Sequence, residues 1–517
     1  MITVNQGLVK HAIALWLQDS IGFKNIVCPL LGFALNTGHV SWIPSFYSTI
    51  SYSYYISSIS SIMDTISFAT AKIRLLEQIK AACQDPTEQQ GSRLIRCKVE
   101  VENVAAMQWL ACQSIPIKTY WANRNQEFKM AGLGVAHEIS GQNSPDLPGL
   151  FKELHQLLDP QYPDLRYYGG FQFNRDTKPA QEWKDFGAYR FIIPQFELHR
   201  SDEGTFLVCN FIHDSQNCDP PSGIIKDLEQ VQFELTLSDW EERTVLHRRD
   251  IPDRAEWQAS LDTALDDMNQ GKYKKVVLAR KATLTFNDPV DPVAYLLRLR
   301  RMTEETFNFY FQTGDDHAFL GATPERLFKR QGRIIHTEAI AGTRPRGKTT
   351  KDDERYSRAL LHSEKELREH SIVVDTIHNV LSKYCQQLVV DDEVQITKLS
   401  HVQHLCKHFK GELEPTVGDA ELIDSLHPTP AMGGYPTDLA LDAIEYLEPF
   451  NRGWYAAPIG FVGPEHTEFV VAIRSALIEQ ERVSLFSGAG IVLGSDPAEE
   501  WQEIEDKISK FLKALDL

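Results

Sequence analysis

The sequence lacks the features that mark several large classes of protein. Its eight cysteines in 517 residues include no CxxC pair, which argues against a disulfide framework and favours a reducing compartment, the cytoplasm. No apolar run is long and unbroken enough to predict a membrane span. Walker loops, strand-linked GxGxxG turns, GxSxG elbows and HExxH helices are all missing, so the commonest catalytic motifs are excluded.

Positive charge is also scarce. Lys and Arg number 53 against 71 Asp and Glu, giving a net charge of −18 and an isoelectric point near 5.4. This balance argues against nucleic acid and against an anionic membrane surface as partners. It does not argue against a small anionic substrate, which needs only local positive charge. The 42% of hydrophobic residues are ample for a large core.

Charged residues of either sign are missing between residues 25 and 63, where Ser, Tyr and Ile dominate. We expect residues 1–62 to be a disordered leader, or an artefact of start-codon choice with Met63 as the functional start. A transit peptide is the alternative, although the segment contains no arginine. Residues 63–249 are predicted to form an N-terminal scaffold of the same fold as a catalytic region over 250–517.

A helix is predicted to begin near the C-terminus, after a glycine-rich turn. Asp496 is a suitable N-cap and Pro497 suits the first helical position. Glu500, Glu503 and Lys507 share one face of this helix, beside an apolar stripe. An ordinary surface pattern of Glu and Lys is one interpretation of these residues.

A second helix, predicted over 363–381, carries Glu366, Glu369 and His370 inside its apolar arc. Buried carboxylates without partners are costly, so such residues neutralise, pair or coordinate a cation. An ion pair with an arginine is one possibility. A hard divalent cation is the other, because two helices that each offer Glu-x-x-Glu provide the oxygen ligands that Mg²⁺ takes.

Nine segments of the second half, in this order, form a specific pattern: KVVLAR, GATPERL, EAIAGTRPRG, EKELREH, VQHL, LHPTPAMGG, RGWYAAPIG, VAIRSA and GAGIVLGSDPAEEWQEIEDK. Together they resemble the chorismate-utilising enzyme family, most closely its isochorismate synthase branch. The resemblance implies an α+β chorismate-binding fold like that of anthranilate synthase component I. In that fold a two-lobed antiparallel β core is flanked by helices, and the active site lies in the cleft between the lobes.

By this resemblance Glu369 and Glu503 match the direct ligands of Mg²⁺. Glu366 and Glu500 match groups that support the ion through water or hydrogen bonds. The ion is expected to bind the ring carboxylate of chorismate.

The resemblance also assigns Lys275 as general base and Glu325 as general acid. Lys275 would take a proton from a water attacking C2, and Glu325 would protonate the departing C4 hydroxyl. At pH 7 Lys275 must be neutral and Glu325 must be protonated, which is the less common form of each side chain. We expect burial to favour these forms. The structural alternatives are a Lys275 that reaches solvent and a salt bridge from Glu325 to Arg326 or a nearby lysine.

Tyr455 and Arg474 match residues that hold the enolpyruvyl carboxylate, where an arginine gives bidentate recognition. Glycines are expected where backbone N–H groups approach an anion closely. The remaining matches to substrate-pocket positions are Gly342, Thr343, His404, Gly490 and Lys507.

Three positions indicate the branch. Aminating relatives generally carry glutamine at the position of Lys275, and some carry a nucleophilic lysine at that of Ala341. The residues present therefore favour water as nucleophile, with no glutaminase subunit expected. Ala431, where relatives that eliminate pyruvate tend to have threonine, favours a synthase that stops at isochorismate.

We therefore predict an Mg²⁺-dependent isomerase that converts chorismate to isochorismate for menaquinone or siderophore biosynthesis. A salicylate synthase, with an added pyruvate lyase activity, is the alternative. A non-catalytic protein whose acidic helices form an ion-pair network is a third hypothesis. No coiled coil is readable, so monomer and homodimer both stay open.

Overall fold

The computed structural model describes residues 27–28, 33–36, 39–42, 66–84, 92–214, 219–221, 223–233, 240, 243–315, 317–398 and 402–517. The chain divides into two compact units, Met1–Thr65 and Ile66–Leu517. In the first unit, β1 (Val27–Cys28), β2 (Phe33–Asn36) and β3 (His39–Trp42) form an antiparallel sheet. The rest of the predicted leader lies outside the described residues.

Helices of the second unit surround its sheets. Within the described residues they are α1 (Phe68–Cys83), α2 (Ala106–Ala111), α3 (Leu147–Gln156), α4 (Ile224–Gln230), α5 (Arg254–Asn269), α6 (Pro292–Met302), α7 (Thr350–Leu361), α8 (Glu364–Tyr384), α9 (Asp419–Leu426), α10 (Thr437–Leu447) and α11 (Pro497–Ala514). None of these is long and apolar enough to cross a membrane.

Strands supply most of the scaffold. They are β4 (Ser92–Val101), β5 (Lys118–Ala122), β6 (Lys129–Leu133), β7 (His137–Gly141), β8 (Tyr167–Phe171), β9 (Tyr189–Ile193), β10 (Phe196–Ser201), β11 (Gly204–Asp214), β12 (Val245–Ile251), β13 (Lys275–Phe286), β14 (Phe307–Gly314), β15 (His317–Thr323), β16 (Arg326–Gln331), β17 (Ile334–Pro345), β18 (Cys385–Val390), β19 (Gln395–Lys398), β20 (Val402–Leu413), β21 (Gly434–Tyr435), β22 (Pro458–Val462), β23 (His466–Val471), β24 (Ser475–Glu479) and β25 (Arg482–Val492).

These strands form two antiparallel sheets. The large sheet has 12 strands, in the order β12-β13-β25-β24-β15-β14-β5-β6-β10-β11-β4, with β21 paired to β13. The small sheet has 10 strands, in the order β18-β20-β17-β16-β23-β22-β8-β9-β7, with β19 paired to β20. The predicted α+β fold, with its two-lobed antiparallel core and flanking helices, is confirmed.

Alternation along the strands divides the hydrophobic residues into two cores. On β5, Trp121 points into an inner core shared by both sheets, where its ring meets Phe461 of the small sheet edge-on at 5.7 Å. Its neighbour Tyr120 points into an outer core, which lies between the large sheet and helices that include α1, α2 and α6. The period of two in a strand makes adjacent residues face opposite sides.

Several sequence predictions of individual elements are confirmed. Asp496 caps α11 by accepting hydrogen bonds from two backbone N–H groups, and Pro497 opens that helix. The structure also shows Ser363 as the cap of α8, where its hydroxyl accepts one hydrogen bond, from the Glu366 N–H at 3.5 Å. The sequence of residues 132–138 predicts one short strand between turns. That prediction is wrong, because Gly134 adopts a left-handed conformation (φ 63°). There the chain leaves β6 of the large sheet and enters β7 of the small sheet.

The chain passes between the two sheets at two further places, and backbone hydrogen bonds join these two segments. The chain crosses from β15 to β16 through Glu325, and from β23 to β24 through Arg474. The Val471 N–H donates to the Glu325 carbonyl at 3.0 Å, and the Ala322 N–H donates to the Arg474 carbonyl at 3.1 Å. These backbone bonds hold Glu325 and Arg474 in neighbouring segments at the junction of the two sheets.

Candidate active site

The residues predicted for the site lie around the junction of the two sheets. Lys275 begins β13 in the large sheet, whereas Gly342 and Thr343 lie on β17 of the small sheet. Helices α8 and α11 supply the acidic residues. The structure therefore brings together residues that are more than two hundred positions apart in the sequence.

Lys275 is almost fully buried, with 1% of its surface exposed. Its Nζ donates a hydrogen bond to Oε1 of Glu369 on α8 at 2.8 Å. Gly490, on the adjacent strand β25, makes room for this contact, because a Cβ there would lie 2.9 Å from the Glu369 oxygen. This hydrogen bond occupies the amine of Lys275 in the structure.

Glu325 is also buried, with 6% exposure, but it forms no ion pair with any described cation. Burial and the nearby charge of Glu338 raise the pKa of Glu325 to about 8, against the smaller effects of Lys275, Arg474 and Arg124. The salt bridge to Arg326 considered from the sequence does not form, since Arg326 pairs with Glu468 at 2.9 Å. Glu325 is therefore protonated at pH 7.

Arg124 and Glu338 support this acid, and the sequence did not point to either residue. Arg124, between β5 and β6, pairs with Glu338 through both guanidinium nitrogens and donates to the Pro324 carbonyl. Glu338 also accepts a hydrogen bond from the Arg326 N–H at 3.2 Å. The ion pair thus fixes the backbone on each side of Glu325. No local motif signals a pair whose partners are 214 residues apart.

The other acidic residues of the site each have a basic partner. Arg344 binds Glu366 at 2.7 Å, and Lys507 binds Glu503 at 2.6 Å. Lys365 lies 3.7 Å from Glu500. With Lys275 beside Glu369, each of the four predicted metal-site glutamates is thus in an ion pair.

Charge repulsion is still present within this acidic group. The pKa of Glu500 is raised by burial and by the charge of Glu503. Burial acts in the same direction on Glu503, but Lys507 and Arg474 outweigh it and lower its pKa. The carboxylates of Glu500 and Glu503 on α11 therefore repel each other, and each is stabilised by nearby positive charge.

The chemistry of these donors fits a magnesium ion. Mg²⁺ takes carboxylate oxygens and usually keeps several waters, so one or two direct protein ligands are enough. The four glutamates do not form a closed cage: among the described residues, three ligand atoms within 4.8 Å of one another occur instead at Glu338, Cys406 and His408. A bound ion would have to share or replace the lysine and arginine partners of the glutamates.

Arg474 and Tyr455 offer donors for an anion. Arg474 forms no ion pair with any described acid, and burial lowers its pKa against the opposing charges of Tyr455, Glu503 and Glu325. Tyr455 stacks on Phe486 with ring centroids 5.4 Å apart, and burial raises the pKa of its hydroxyl to about 12. The phenol therefore stays a neutral donor beside an arginine with unused N–H groups.

The small-sheet wall of the site contains Gly342, Thr343 and His404. Burial, with the charge of Arg474 beside it, lowers the pKa of His404 to about 4. The neutral ring lies with Nδ1 3.2 Å from the Gly342 carbonyl and 3.0 Å from the Thr343 hydroxyl. A carbonyl can only accept, so Nδ1 carries the proton and Nε2 is left as a free acceptor. Gly342 has φ 71° and adjoins Glu366, which excludes a side chain there.

Two alanines and a lysine complete the predicted set. Ala341 is buried on β17, next to the bulge that precedes Thr343. Ala431 lies in the turn before β21, the short strand whose Tyr435 pairs with Lys275. Lys507 also donates to the Gly488 carbonyl at 2.8 Å, which ties α11 to β25.

The profile of a family described as chorismate binding enzyme matches residues 77–516. The chain therefore belongs to the chorismate binding enzyme family. Isochorismate synthase MenF of Bacillus subtilis is 32% identical over 77% of this chain and 87% of that relative. The salicylate biosynthesis isochorismate synthase of Pseudomonas aeruginosa is 39% identical over 77% of this chain and 84% of that protein.

Solved structures support the same assignment. MenF, the menaquinone-specific isochorismate synthase from Escherichia coli, matches with a TM-score of 0.76 and 29% identity, covering 87% of this chain and all of that one. Anthranilate synthase component I from Streptococcus pneumoniae matches with a TM-score of 0.61 at 21% identity, covering 74% and 92%; this likeness concerns the fold alone. The predicted family and fold are confirmed.

Proposed function

We propose that this protein is an isochorismate synthase that isomerises chorismate, with Lys275 as general base and Glu325 as general acid. The observation that carries the assignment of roles is the state of Glu325, which is buried, has no cation partner and holds its proton at neutral pH. A carboxylic acid in that state can protonate a leaving hydroxyl. Membership of the family and the similarity to isochorismate synthases support the reaction itself.

The proposed reaction moves a hydroxyl between two carbons of the ring. Lys275 accepts a proton from a water molecule as the water oxygen bonds to C2. Both double bonds of the ring shift, from C1=C2 and C5=C6 to C1=C6 and C4=C5, as the C4–O bond breaks, and Glu325 gives its proton to the departing hydroxyl, which leaves as water. The two side chains end with exchanged protonation states, and proton exchange with solvent restores them.

For this step the amine of Lys275 must be free to accept a proton. Its hydrogen bond to Glu369 opposes that, so we propose that Glu369 turns from the lysine when the site is loaded. Glu369 and Glu503 would hold Mg²⁺ directly, with Glu366 and Glu500 supporting them. When bound, the ion supplies positive charge for the ring carboxylate of the substrate.

Arg474 and Tyr455 are proposed to hold the enolpyruvyl carboxylate, because both offer unused or neutral donors at the junction of the sheets. The free Nε2 of His404 would accept a hydrogen bond from substrate or water. Gly342, Thr343, Ala431, Gly490 and Lys507 shape the surrounding wall. Five of the described cysteines, Cys83, Cys97, Cys209, Cys385 and Cys406, are free thiols, which supports the proposed reducing, cytoplasmic location.

Product analysis tests the proposal. The purified protein is incubated with chorismate in Mg²⁺ or in EDTA, and the products are separated by chromatography. Isochorismate that forms only with Mg²⁺ is the expected result. Failure to consume chorismate under either condition would contradict the activity, and equal turnover in EDTA would contradict the metal requirement alone.

A salicylate synthase is the second candidate; the relative named for salicylate biosynthesis is itself named as an isochorismate synthase. Ala431 favours a reaction that stops at isochorismate. Salicylate and pyruvate in the same assay would establish the lyase activity instead. Menaquinone or siderophore biosynthesis is the proposed destination of the product.

A further inference from the structure

A second charged cavity lies on the outer side of the large sheet, where none of the proposed active-site residues lines it. Its volume is about 310 Å³, and α2, α6 and strands β5, β6 and β10 enclose it. This is within the range of roughly 300–1,000 Å³ that small-molecule sites occupy. Among the described residues, the lining includes no acidic side chain and four basic ones: Lys129, Arg200, Arg300 and Arg301.

The register of the sheet forces two of these cations together. Lys129 on β6 lies directly opposite Arg200 on β10, and like charges in that position repel. None of the four cations forms an ion pair with a described carboxylate. Burial lowers the pKa of Lys129, and the charges of Arg300 and Arg200 lower it further. A group of cations that no described carboxylate balances attracts an anion.

One of the arginines is held in place by neutral groups. Arg300 donates to the side-chain oxygens of Asn308 at 2.9 Å and Gln126 at 2.8 Å. These bonds orient the guanidinium without cancelling its charge. The buried ring of Tyr120 lies beneath it, 5.2 Å away.

Apolar side chains complete the lining of the cavity. Val104, Ala106 and Met107 line it at the start of α2, and Leu297 lines it from α6. A ligand that suits this lining carries both negative charge and apolar atoms. We propose that this cavity binds a small organic anion with at least two negative charges, borne by phosphate or carboxylate groups.

Calorimetric titration of the full-length protein tests this site, with EDTA present so that no metal complex of the probe forms. Pyrophosphate and isophthalate serve as the phosphate and carboxylate probes. We expect one-to-one, saturable binding of at least one of them, and the tighter probe identifies the class. Absence of saturable binding by both would overturn the proposal.

Variants then locate the bound anion. The double variant Lys129→Gln/Arg200→Gln should weaken binding about tenfold or more, because it removes charge-assisted hydrogen bonds. The matched control Lys80→Gln/Lys152→Gln removes the same charge from exposed helical positions and should bind as the parent does. Equal weakening in the control, or loss of binding in Arg474→Gln, would overturn the assignment to this cavity.

Thermal unfolding gives a second, independent readout. At low salt the parent melting temperature should rise on addition of the bound probe, whereas that of Lys129→Gln/Arg200→Gln should not move. Relief of the repulsion should also leave the double variant at least as stable as the parent without ligand. A melting temperature that rises equally in both proteins would contradict the proposal.

Discussion

The carboxylates on the two sides of the candidate active site have different partners. On the side of α8 and α11, Glu366, Glu369, Glu500 and Glu503 each lie beside a lysine or arginine. At the junction of the sheets, Glu325 has no such partner, although Glu338 behind it does. A carboxylate that pairs stays charged and suits a cation, whereas one that is buried alone keeps its proton and suits acid catalysis.

The largest expected effect comes from removing the proposed acid or base. Lys275→Ala and Glu325→Gln should each lower turnover by roughly a hundredfold to ten-thousandfold, the usual contribution of such groups. Thermal unfolding should be little changed. Lys274→Ala alters the exposed neighbour and should leave turnover intact; normal activity in either test variant would remove that residue from its role.

Loss of metal binding is the next expected effect. Glu369→Ala and Glu503→Ala should abolish the binding of Mg²⁺ measured by calorimetry, because each removes a proposed ligand. Glu364→Ala and Glu499→Ala, exposed positions on the same two helices, are the controls. An unchanged isotherm for a test variant would exclude that glutamate as a ligand.

The unpaired acid predicts a pH dependence of activity and of stability. Turnover should fall as the pH rises through about 8, the pKa of Glu325, because the proton it donates is lost. Between its ordinary value of 4.5 and about 8 the folded protein holds a proton that the unfolded chain releases. Stability from this group is therefore complete below the lower value and declines as the pH rises across the window.

Chemical denaturation across this pH range checks the sign of the stability change. As the pH rises from 4.5 to about 8, the free energy of unfolding of the parent should fall relative to that of Glu325→Gln, because the variant has no proton to lose at this position. Parallel curves for the two proteins would show that Glu325 is ionised normally.

The smallest expected effect tests how the charge of Glu338 influences the pKa of Glu325. Glu338→Gln removes a neighbouring negative charge and leaves Arg124 without its partner, and both changes lower the pKa of Glu325. The alkaline limb of the rate profile should move to lower pH, with KM little altered. A fall in activity that is equal at every pH would indicate a structural role only.

Local signals in the sequence were sufficient for much of the secondary structure. The cap at Asp496 marks the start of α11 because capping depends on a few consecutive residues. The predicted strand over 132–138 failed at Gly134, where the two sheets, rather than the local pattern, decide the path of the chain. Motif order was enough to predict the family and to select the residues of the site.

The sequence by itself determined the family, the α+β fold and the proposed catalytic and acidic residues, since these depend on motifs and short-range periodicity. Tertiary structure alone decided which acids are paired. It placed Arg124 against Glu338, left Glu325 without a cation, and set Lys129 opposite Arg200. The physical reason is that desolvation and ion pairing depend on distances between segments hundreds of residues apart, which no local pattern records.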